Sequence, residues 1–195
     1  MTKKVAVVVG ATTKWQSDGR MTKLAHGGSI DDSDLPLGVR WGVGGAVAQK
    51  FAQEGFSVVL TTRTAANAAA LQAAILEQGG ECMTVEMDLV SPASISEAFA
   101  TIRNDVGTPD VLVYNAGYID GRDLPPEKEL LEHIPIEMFD TAQHVSSRGP
   151  FLVAKQVLPA MRENGHGSFF FSNNNKSLRG TKRYTGESLY YPRVM

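Results

Sequence analysis

The sequence is poor in cysteine. Cys82 is the only cysteine among 195 residues, so no disulfide can form within the chain. Structural disulfides are typical of oxidising compartments, and a chain without them fits a reducing one. The cysteine content therefore predicts a cytoplasmic protein.

The sequence also lacks a long apolar run. No segment approaches the roughly 20 apolar residues that a membrane-spanning helix needs. Lys3 and Lys4 before the apolar run 5–9 faintly imitate a signal peptide, but the run is too short and ends at Gly10. The net charge of −2 gives no reason to expect nucleic acid or an acidic membrane surface as a partner.

What the chain does contain is an alternation of strand-like and helix-like segments. Short apolar runs predict strands, and apolar residues three or four positions apart predict helices. The predicted strands are 5–9, 56–62, 81–87, 111–115 and 167–171; the predicted helices are 42–54, 65–78, 91–106 and 135–162, the last with a kink near Gly149. This order predicts a single domain, 1–195, of the α/β class. We expect a Rossmann-like, doubly wound parallel sheet that is incomplete at its C-terminal end.

Two stretches follow neither period. Residues 11–41 predict a long loop or insertion that leaves the carboxyl end of the first strand, either as a lid or interface loop or as a surface excursion. Residues 118–134 predict a second loop. Asp31, Asp32 and Asp34 fit a solvated acidic turn better than a metal site, and the four histidines show no metal-ligand spacing, so no metal is predicted.

The most informative stretch runs from Val111 to Gly117. Three apolar residues and a tyrosine lead into Asn115, Ala116 and Gly117, which predicts a buried strand opening into a turn of small residues. Ligands of open α/β sheets bind where strands end at the carboxyl edge, and small residues let a flat ligand approach the backbone. By itself, the same pattern fits an ordinary turn.

Glycines lie at a second strand end. Gly10 ends the first strand, and Gly42, Val43 and Gly44 open the first helix. Such a turn would bring a diphosphate to backbone N–H groups at a helix N-terminus, where the helix dipole favours negative charge. Because 31 residues separate Gly10 from Gly42, close packing of helix on strand is an alternative explanation.

Polar residues follow the second and third strands. Arg63 stands where the adenine ribose of a dinucleotide would lie; an arginine there suits a 2′-phosphate and predicts NADP over NAD. Asp88, before Leu89, would accept a hydrogen bond from the adenine amino group. The alternatives are a solvated arginine and an aspartate that caps the next turn.

Taken in order, these residues resemble the short-chain dehydrogenase/reductase family over most of residues 4–175 outside the insertion. The motifs are Gly10, Gly42-Val-Gly44, Arg63, Asp88-Leu89 and Asn115-Ala-Gly117, followed by the apolar helix 151–161. The resemblance implies a Rossmann-like fold that uses NAD or NADP for hydride transfer to or from carbonyls and alcohols. It also implies a catalytic Tyr, a Lys four residues later, a Ser that polarises the carbonyl and an Asn that orders a water.

The resemblance fits these catalytic positions poorly. Ser146 occupies the place of the Asn, and Asn174 is nearer the place of the Ser than Ser172. Tyr190 best matches the Tyr motif, but Val194 stands where the Lys belongs. The open alternatives are Ser177 for the Ser, Tyr184 and Tyr191 for the Tyr, and Arg193, Lys182 or a Lys beyond the chain end for the positive charge.

The sequence therefore predicts an NADP-dependent short-chain oxidoreductase acting on a small carbonyl or alcohol. The altered catalytic positions leave two alternatives open: a catalytically degenerate nucleotide-binding subunit, or a fragment without a role of its own. The chain ends where family members continue with further strands, so we expect an exposed apolar sheet edge. We also expect a homo-oligomer for a full-length form.

Overall fold

The structure, a computed structural model, describes residues 3–12, 31, 33–34, 41–118 and 131–172. Its first half contains β1 (Val5–Val9), α1 (Gly42–Gln53), β2 (Ser57–Thr62), α2 (Ala69–Glu77) and β3 (Glu81–Glu86). Its second half contains α3 (Pro92–Asp105), β4 (Val111–Tyr114), α4 (Ile136–Gln143), α5 (Gly149–Asn164) and β5 (Ser168–Phe171). Most of the predicted insertion 11–41 lies outside the described residues.

The five strands form one parallel sheet in the order β3-β2-β1-β4-β5. The chain runs outward from β1 to β3 and then crosses back to place β4 on the other side of β1. Val9 pairs in register with Thr61 of β2 and with Tyr114 of β4. The order of strands therefore reverses between β1 and β4, where open α/β sheets bind their ligands. The predicted fold class is confirmed.

Both faces of the sheet are covered, because the side chains of β1 alternate between two apolar clusters. Val5, Val7 and Val9 pack on the face covered by α3 and α5, and Val8 packs on the face covered by α1 and α2. All five residues of β1 are buried. This explains the unbroken apolar run of β1, which is typical of a central parallel strand.

The ends of α3 and α5 follow the sequence signals. The Ser91 hydroxyl accepts a hydrogen bond from the Ser94 N–H at 3.2 Å, and Pro92 occupies the first turn of α3. Gly165 ends α5 with a left-handed φ of 73°. Within the described ranges, no helix is long and apolar enough to cross a membrane.

The structure corrects three predicted elements. The predicted helix 65–78 opens with a 3₁₀ turn, Ala65–Ala68, and the predicted loop 118–134 contains another, Leu131–His133. The predicted helix 135–162 is two α-helices joined by a π-helical segment, His144–Arg148. Pro150 has no N–H to donate to the carbonyl four residues earlier, so the α-helical hydrogen-bond ladder changes register there.

Candidate functional site

The predicted site residues of four strands lie along one edge of the sheet. Asn115 N–H donates to the Val9 carbonyl at 2.8 Å, Gly10 N–H to the Thr61 carbonyl at 3.1 Å, and Met87 N–H to the Thr62 carbonyl at 2.8 Å. These bonds join the residues just past β4, β1 and β3 to the carboxyl ends of the neighbouring strands β1 and β2. We call this edge the carboxyl rim, formed by residues 10–12, 61–64, 87–90 and 115–117.

Gly10 and the small-residue turn after β4 are in close contact. Gly10 has a φ of 75°, and a Cβ placed on it would lie 2.5 Å from the Ala116 Cα. The side-chain amide of Asn115 donates to the Gly10 carbonyl at 3.0 Å. The two turns thus form a compact floor of backbone between β1 and β4.

The first turn of α1 lies against this floor. A Cβ on Gly44 would lie 2.6 Å from the Gly10 carbonyl oxygen and 2.7 Å from Asn115 Nδ2. Gly44 therefore packs helix against strand, as the alternative explanation of the glycines required. The N-terminus of α1 also has no side-chain cap from Trp41 and no acidic residue in its first turn. An anionic diphosphate would suit such a helix end, so the residues present fit a dinucleotide.

The other two predicted positions at this helix end have different settings. Gly42 has a φ of 71°, which favours glycine, and the Val43 side chain is 66% exposed beside it. Of the predicted group Gly42, Val43 and Gly44, Gly44 is the residue that lies against Gly10.

Arg63 follows β2 with an exposed side chain. The segment after it is fixed by the Ala65 N–H, which donates to Glu86 Oε1 at 2.7 Å. Glu86 is the last residue of β3 and was not singled out from the sequence. Arg63 is thus available to a ligand at the rim on a loop whose backbone is held in place.

Asp88 and Leu89 have local structural roles as well. Asp88 Oδ1 accepts from the Val90 N–H at 3.0 Å, and its own N–H donates to Ser94 Oγ at 2.9 Å. The turn-capping alternative for Asp88 is therefore present in the structure. The Leu89 side chain is buried in the core, so only its backbone could meet a ligand at the rim.

Ser146 lies in the π-helical segment, which begins beside β4. The Tyr114 hydroxyl donates to the Val145 carbonyl, and a Cβ on Gly149 would collide with that hydroxyl oxygen. Ser146 Oγ is buried without a hydrogen-bond partner. A buried unpaired hydroxyl is uncommon and marks a place where a ligand or water would be stabilising.

Tyr114 itself is a poor candidate for proton transfer. Burial raises the pKa of its phenol above the ordinary value, because the phenolate would be desolvated. Its hydroxyl is also engaged by Val145. Tyr114 therefore positions the π-helical segment.

The other predicted catalytic residues, Tyr190 and Asn174, lie outside the described residues. The same holds for the alternatives Ser177, Tyr184 and Tyr191, and for Lys182, Arg193 and Val194. Asp32 of the acidic turn also lies outside. Across the described residues, no group of three or more His, Cys, Asp or Glu side chains could hold a metal ion.

Besides Glu86, sequence reasoning missed one residue of the rim, Thr12, and one that contacts it, Arg148. Thr12 Oγ1 donates to the Asn67 carbonyl at 2.7 Å and ties the turn after β1 to the segment before α2. Arg148 Nη2 donates to the Val90 carbonyl at 2.9 Å, while its Nε is buried without a partner. The only sequence signal for Arg148 is its place between Ser146 and Gly149.

One family model and many curated proteins match this chain. The model of the family described as enoyl-(acyl carrier protein) reductase matches residues 38–190. The uncharacterized oxidoreductase YxbG of Bacillus subtilis strain 168 is 31% identical over 143 residues, 73% of this chain and 49% of that protein. The NADP-dependent 3-hydroxy acid dehydrogenase YdfG of Salmonella typhi is 30% identical over 156 residues, 80% of this chain and 58% of that protein. The chain thus spans about half the length of these relatives.

Solved structures share the fold. A metagenomic short-chain oxidoreductase in complex with NADP is 22% identical, with a TM-score of 0.68 over 97% of this chain and 70% of that chain. A 7α-hydroxysteroid dehydrogenase in complex with NADH and 7-oxo glycochenodeoxycholic acid is also 22% identical, with a TM-score of 0.72 over 97% and 60%. At this identity, the likeness establishes the arrangement of strands and helices.

Proposed function

This chain belongs to the short-chain dehydrogenase/reductase family, and on that premise we propose that it is an NAD(P)-dependent oxidoreductase. Its substrate would be a small carbonyl compound or alcohol. The observation that carries the proposal is the contact of Gly10, Asn115 and Gly44 at the point where the strand order reverses.

The carboxyl rim provides a place for each part of a dinucleotide. Gly10 and Gly42, Val43 and Gly44 would hold the diphosphate at the uncapped end of α1. Asp88 and the Leu89 backbone would contact the adenine. Asn115, Ala116 and Gly117 would form the floor beneath the ribose and nicotinamide. When bound, the nicotinamide supplies or accepts the hydride.

Arg63 favours NADP as the cofactor. A guanidinium can bind a 2′-phosphate through two parallel hydrogen bonds, whereas NAD-binding sites commonly use a carboxylate at this strand end. YdfG is named as NADP-dependent, while the 7α-hydroxysteroid dehydrogenase was solved with NADH. The preference for NADP over NAD in this chain therefore rests on Arg63.

NADPH and NADH titrations test both the cofactor and the role of Arg63. We expect the chain to bind NADPH, and Arg63→Gln to weaken NADPH binding about tenfold or more with little effect on NADH, since one charge-assisted contact is worth about 1.5–3 kcal/mol. The control is Arg103→Gln, which removes an exposed arginine that lies on α3, away from the end of β2. Equal NADPH affinity of Arg63→Gln and the unchanged chain would contradict the NADP assignment.

Proton transfer would fall to Tyr190, with Ser146 and Asn174 in the polar roles. A tyrosine near its reference pKa of about 10 needs a nearby cation to act at neutral pH, and Arg193 or Lys182 would supply it. Turnover of a carbonyl substrate with NADPH, lost in Tyr190→Phe, is the expected result. Turnover that survives this change would remove Tyr190 from the mechanism.

A second function, nucleotide binding without catalysis, is favoured by Ser146. Its shorter side chain replaces the family's Asn, and its hydroxyl has no partner to orient it. Such a regulatory subunit would bind NADPH yet turn over no carbonyl or alcohol. The third alternative, a fragment without a role of its own, predicts a chain that does not unfold cooperatively. A cooperative transition in thermal denaturation would contradict it. A cytoplasmic location and a homo-oligomeric assembly are also part of the proposal.

A further inference from the structure

We infer that Arg148 is a positioning residue, which fixes the segment carrying Ser146 to the loop that would hold the adenine. The inference rests on the proposed function, because it assigns Arg148 a role toward the same dinucleotide. The tie itself is the hydrogen bond from Arg148 Nη2 to the Val90 carbonyl, across 58 positions of sequence.

The loop at one end of this tie is held by its own hydrogen bonds. Val90 N–H donates to Asp88 Oδ1, Asp88 N–H to Ser94 Oγ, and Ser91 N–H to the Asp88 carbonyl at 3.1 Å. These bonds fasten the loop to the start of α3. Arg148, which lies outside the rim, contacts this loop through the Val90 carbonyl.

The segment at the other end is fastened at two places. Tyr114 holds the Val145 carbonyl beside β4, and Arg148 holds Val90 beyond β3. Ser146 lies between these two attachment points. The α-helical hydrogen-bond ladder is interrupted at a π-helical turn, and these two attachments hold the segment on either side of Ser146.

The contacts of Arg148 contribute little to folding stability. Its Nε is buried without a partner, and no carboxylate pairs with its guanidinium in the part of the chain that the structure describes. Burying part of a cation against one neutral carbonyl leaves desolvation poorly compensated. A role in holding two parts of one ligand site at a set distance explains the arrangement, because a misplacement of about 1 Å can lower the rate of catalysis strongly.

NADPH titration of four chains tests the inference. We expect Arg148→Met to weaken NADPH binding about tenfold, because a hydrogen bond from a charged donor is lost. Arg148→Lys keeps a charged donor on a long stem and should stay within about threefold of the unchanged chain. Arg162→Met, which removes an exposed arginine from the last turn of α5, is the matched control and should have no effect.

Amide hydrogen exchange without cofactor supplies an independent readout. In Arg148→Met, the amides of Val90 and Ser91 should exchange about tenfold faster, while those of the core strand β2, such as Val59, should not change. General destabilisation would speed up both sets. If Arg148→Met does not fold, Arg148→Gln, which is too short to reach Val90 by the same path, is measured by the same criteria.

The outcomes separate the inference from the proposed function. If the unchanged chain binds NADPH and the Arg148 variants bind it equally well, the inference is overturned and the proposed function stands. Unchanged exchange at Val90 and Ser91 overturns it as well. If the unchanged chain binds no NADPH, the proposed function fails and the role of Arg148 fails with it.

Discussion

Gly10 shows how much of the candidate site depends on one missing side chain. Its φ of 75° is a region that residues with a Cβ rarely adopt, and Ala116 leaves no room for a Cβ. The Gly10 carbonyl also accepts a hydrogen bond from the side-chain amide of Asn115. Conformation, packing and hydrogen bonding at one residue thus bring the turns after β1 and β4 together.

Gly10→Ala should lower the free energy of unfolding and abolish NADPH binding. Gly79→Ala is the control, because Gly79 has a φ of 78° but nothing lies within 4 Å of an added Cβ. The control should cost about 1–2 kcal/mol for the left-handed backbone, and Gly10→Ala about 1–3 kcal/mol more for overpacking. Urea denaturation measures both; equal losses would mean that the contact with Ala116 adjusts freely.

Cys82 makes a pH-dependent contribution that is separate from the site. Burial raises the pKa of its thiol to about 12, whereas the thiol of an unfolded cysteine has a pKa of about 8.5. As pH rises between these values, the unfolded state loses the proton while the folded state keeps it, so the stability falls. The contribution is fully present below about pH 8.5.

Cys82→Ala should remove this part of the alkaline loss. From about pH 7.5 to about pH 9.5, the unchanged chain should lose about 1 kcal/mol more free energy of unfolding than the variant. Urea denaturation at both pH values gives the comparison. Parallel losses in the two chains would show that the folded thiol titrates normally.

Among the elements, the π-helical segment His144–Arg148 connects the fold to the candidate chemistry. It separates α4 from α5 and carries Ser146, and its Val145 carbonyl accepts one hydrogen bond from Tyr114 of β4. Tyr114 also pairs in register with Val9, so the same residue belongs to the sheet core and supports the segment. The position of Ser146 therefore depends on β4 as well as on its own helix.

Tyr114→Phe should destabilise the chain by about 1–2 kcal/mol, because the Val145 carbonyl loses its donor at a partly buried position. Thr141→Val is the control: it also removes one hydroxyl, whose bond to the Glu137 carbonyl lies at an exposed position. The control should change stability by about 0.5 kcal/mol or less. Similar losses in both variants, measured by urea denaturation, would argue against a special role of the Tyr114 hydroxyl.

At the scale of the whole molecule, the two edges of the sheet differ. β3 ends one side with three polar or charged residues among its six, Glu81, Thr84 and Glu86. β5 ends the other side with Phe170 and Phe171, which are 54% and 56% exposed. Within the described ranges, β5 pairs only with β4. An exposed apolar edge strand favours pairing with another chain.

We therefore expect the 195-residue chain to associate as its concentration rises. Light scattering should give a mass above the 21.0 kDa of the monomer, and Phe170→Lys should return it toward that value. Leu76→Lys, at an exposed leucine on α2, should leave association unchanged. A monomer at all concentrations would show that β5 is not an association edge.

Local patterns in the sequence predict the fold class, the family and the order of the strands and helices along the chain. These predictions are confirmed, except that the predicted helix 135–162 is two α-helices joined by a π-helical segment. These follow from local patterns: the apolar run of β1, the Ser91 cap and the glycines after strands and helices are set by neighbouring residues. The same local logic missed the π-helical segment, since Pro150 looks equally suited to a kink or to a helix start.

The contacts between distant segments could not be predicted from the sequence. The Asn115 side chain binds the Gly10 carbonyl across 105 positions of sequence, and the Arg148 side chain binds the Val90 carbonyl across 58. The residues that flank Asn115 and Arg148 in the sequence do not indicate either contact. The roles of Arg63, Asp88, Ser146, Asn174 and Tyr190 remain predictions from sequence. Hydrogen bonds between distant segments depend on how helices pack on the sheet, and local propensity and period carry no information about that packing.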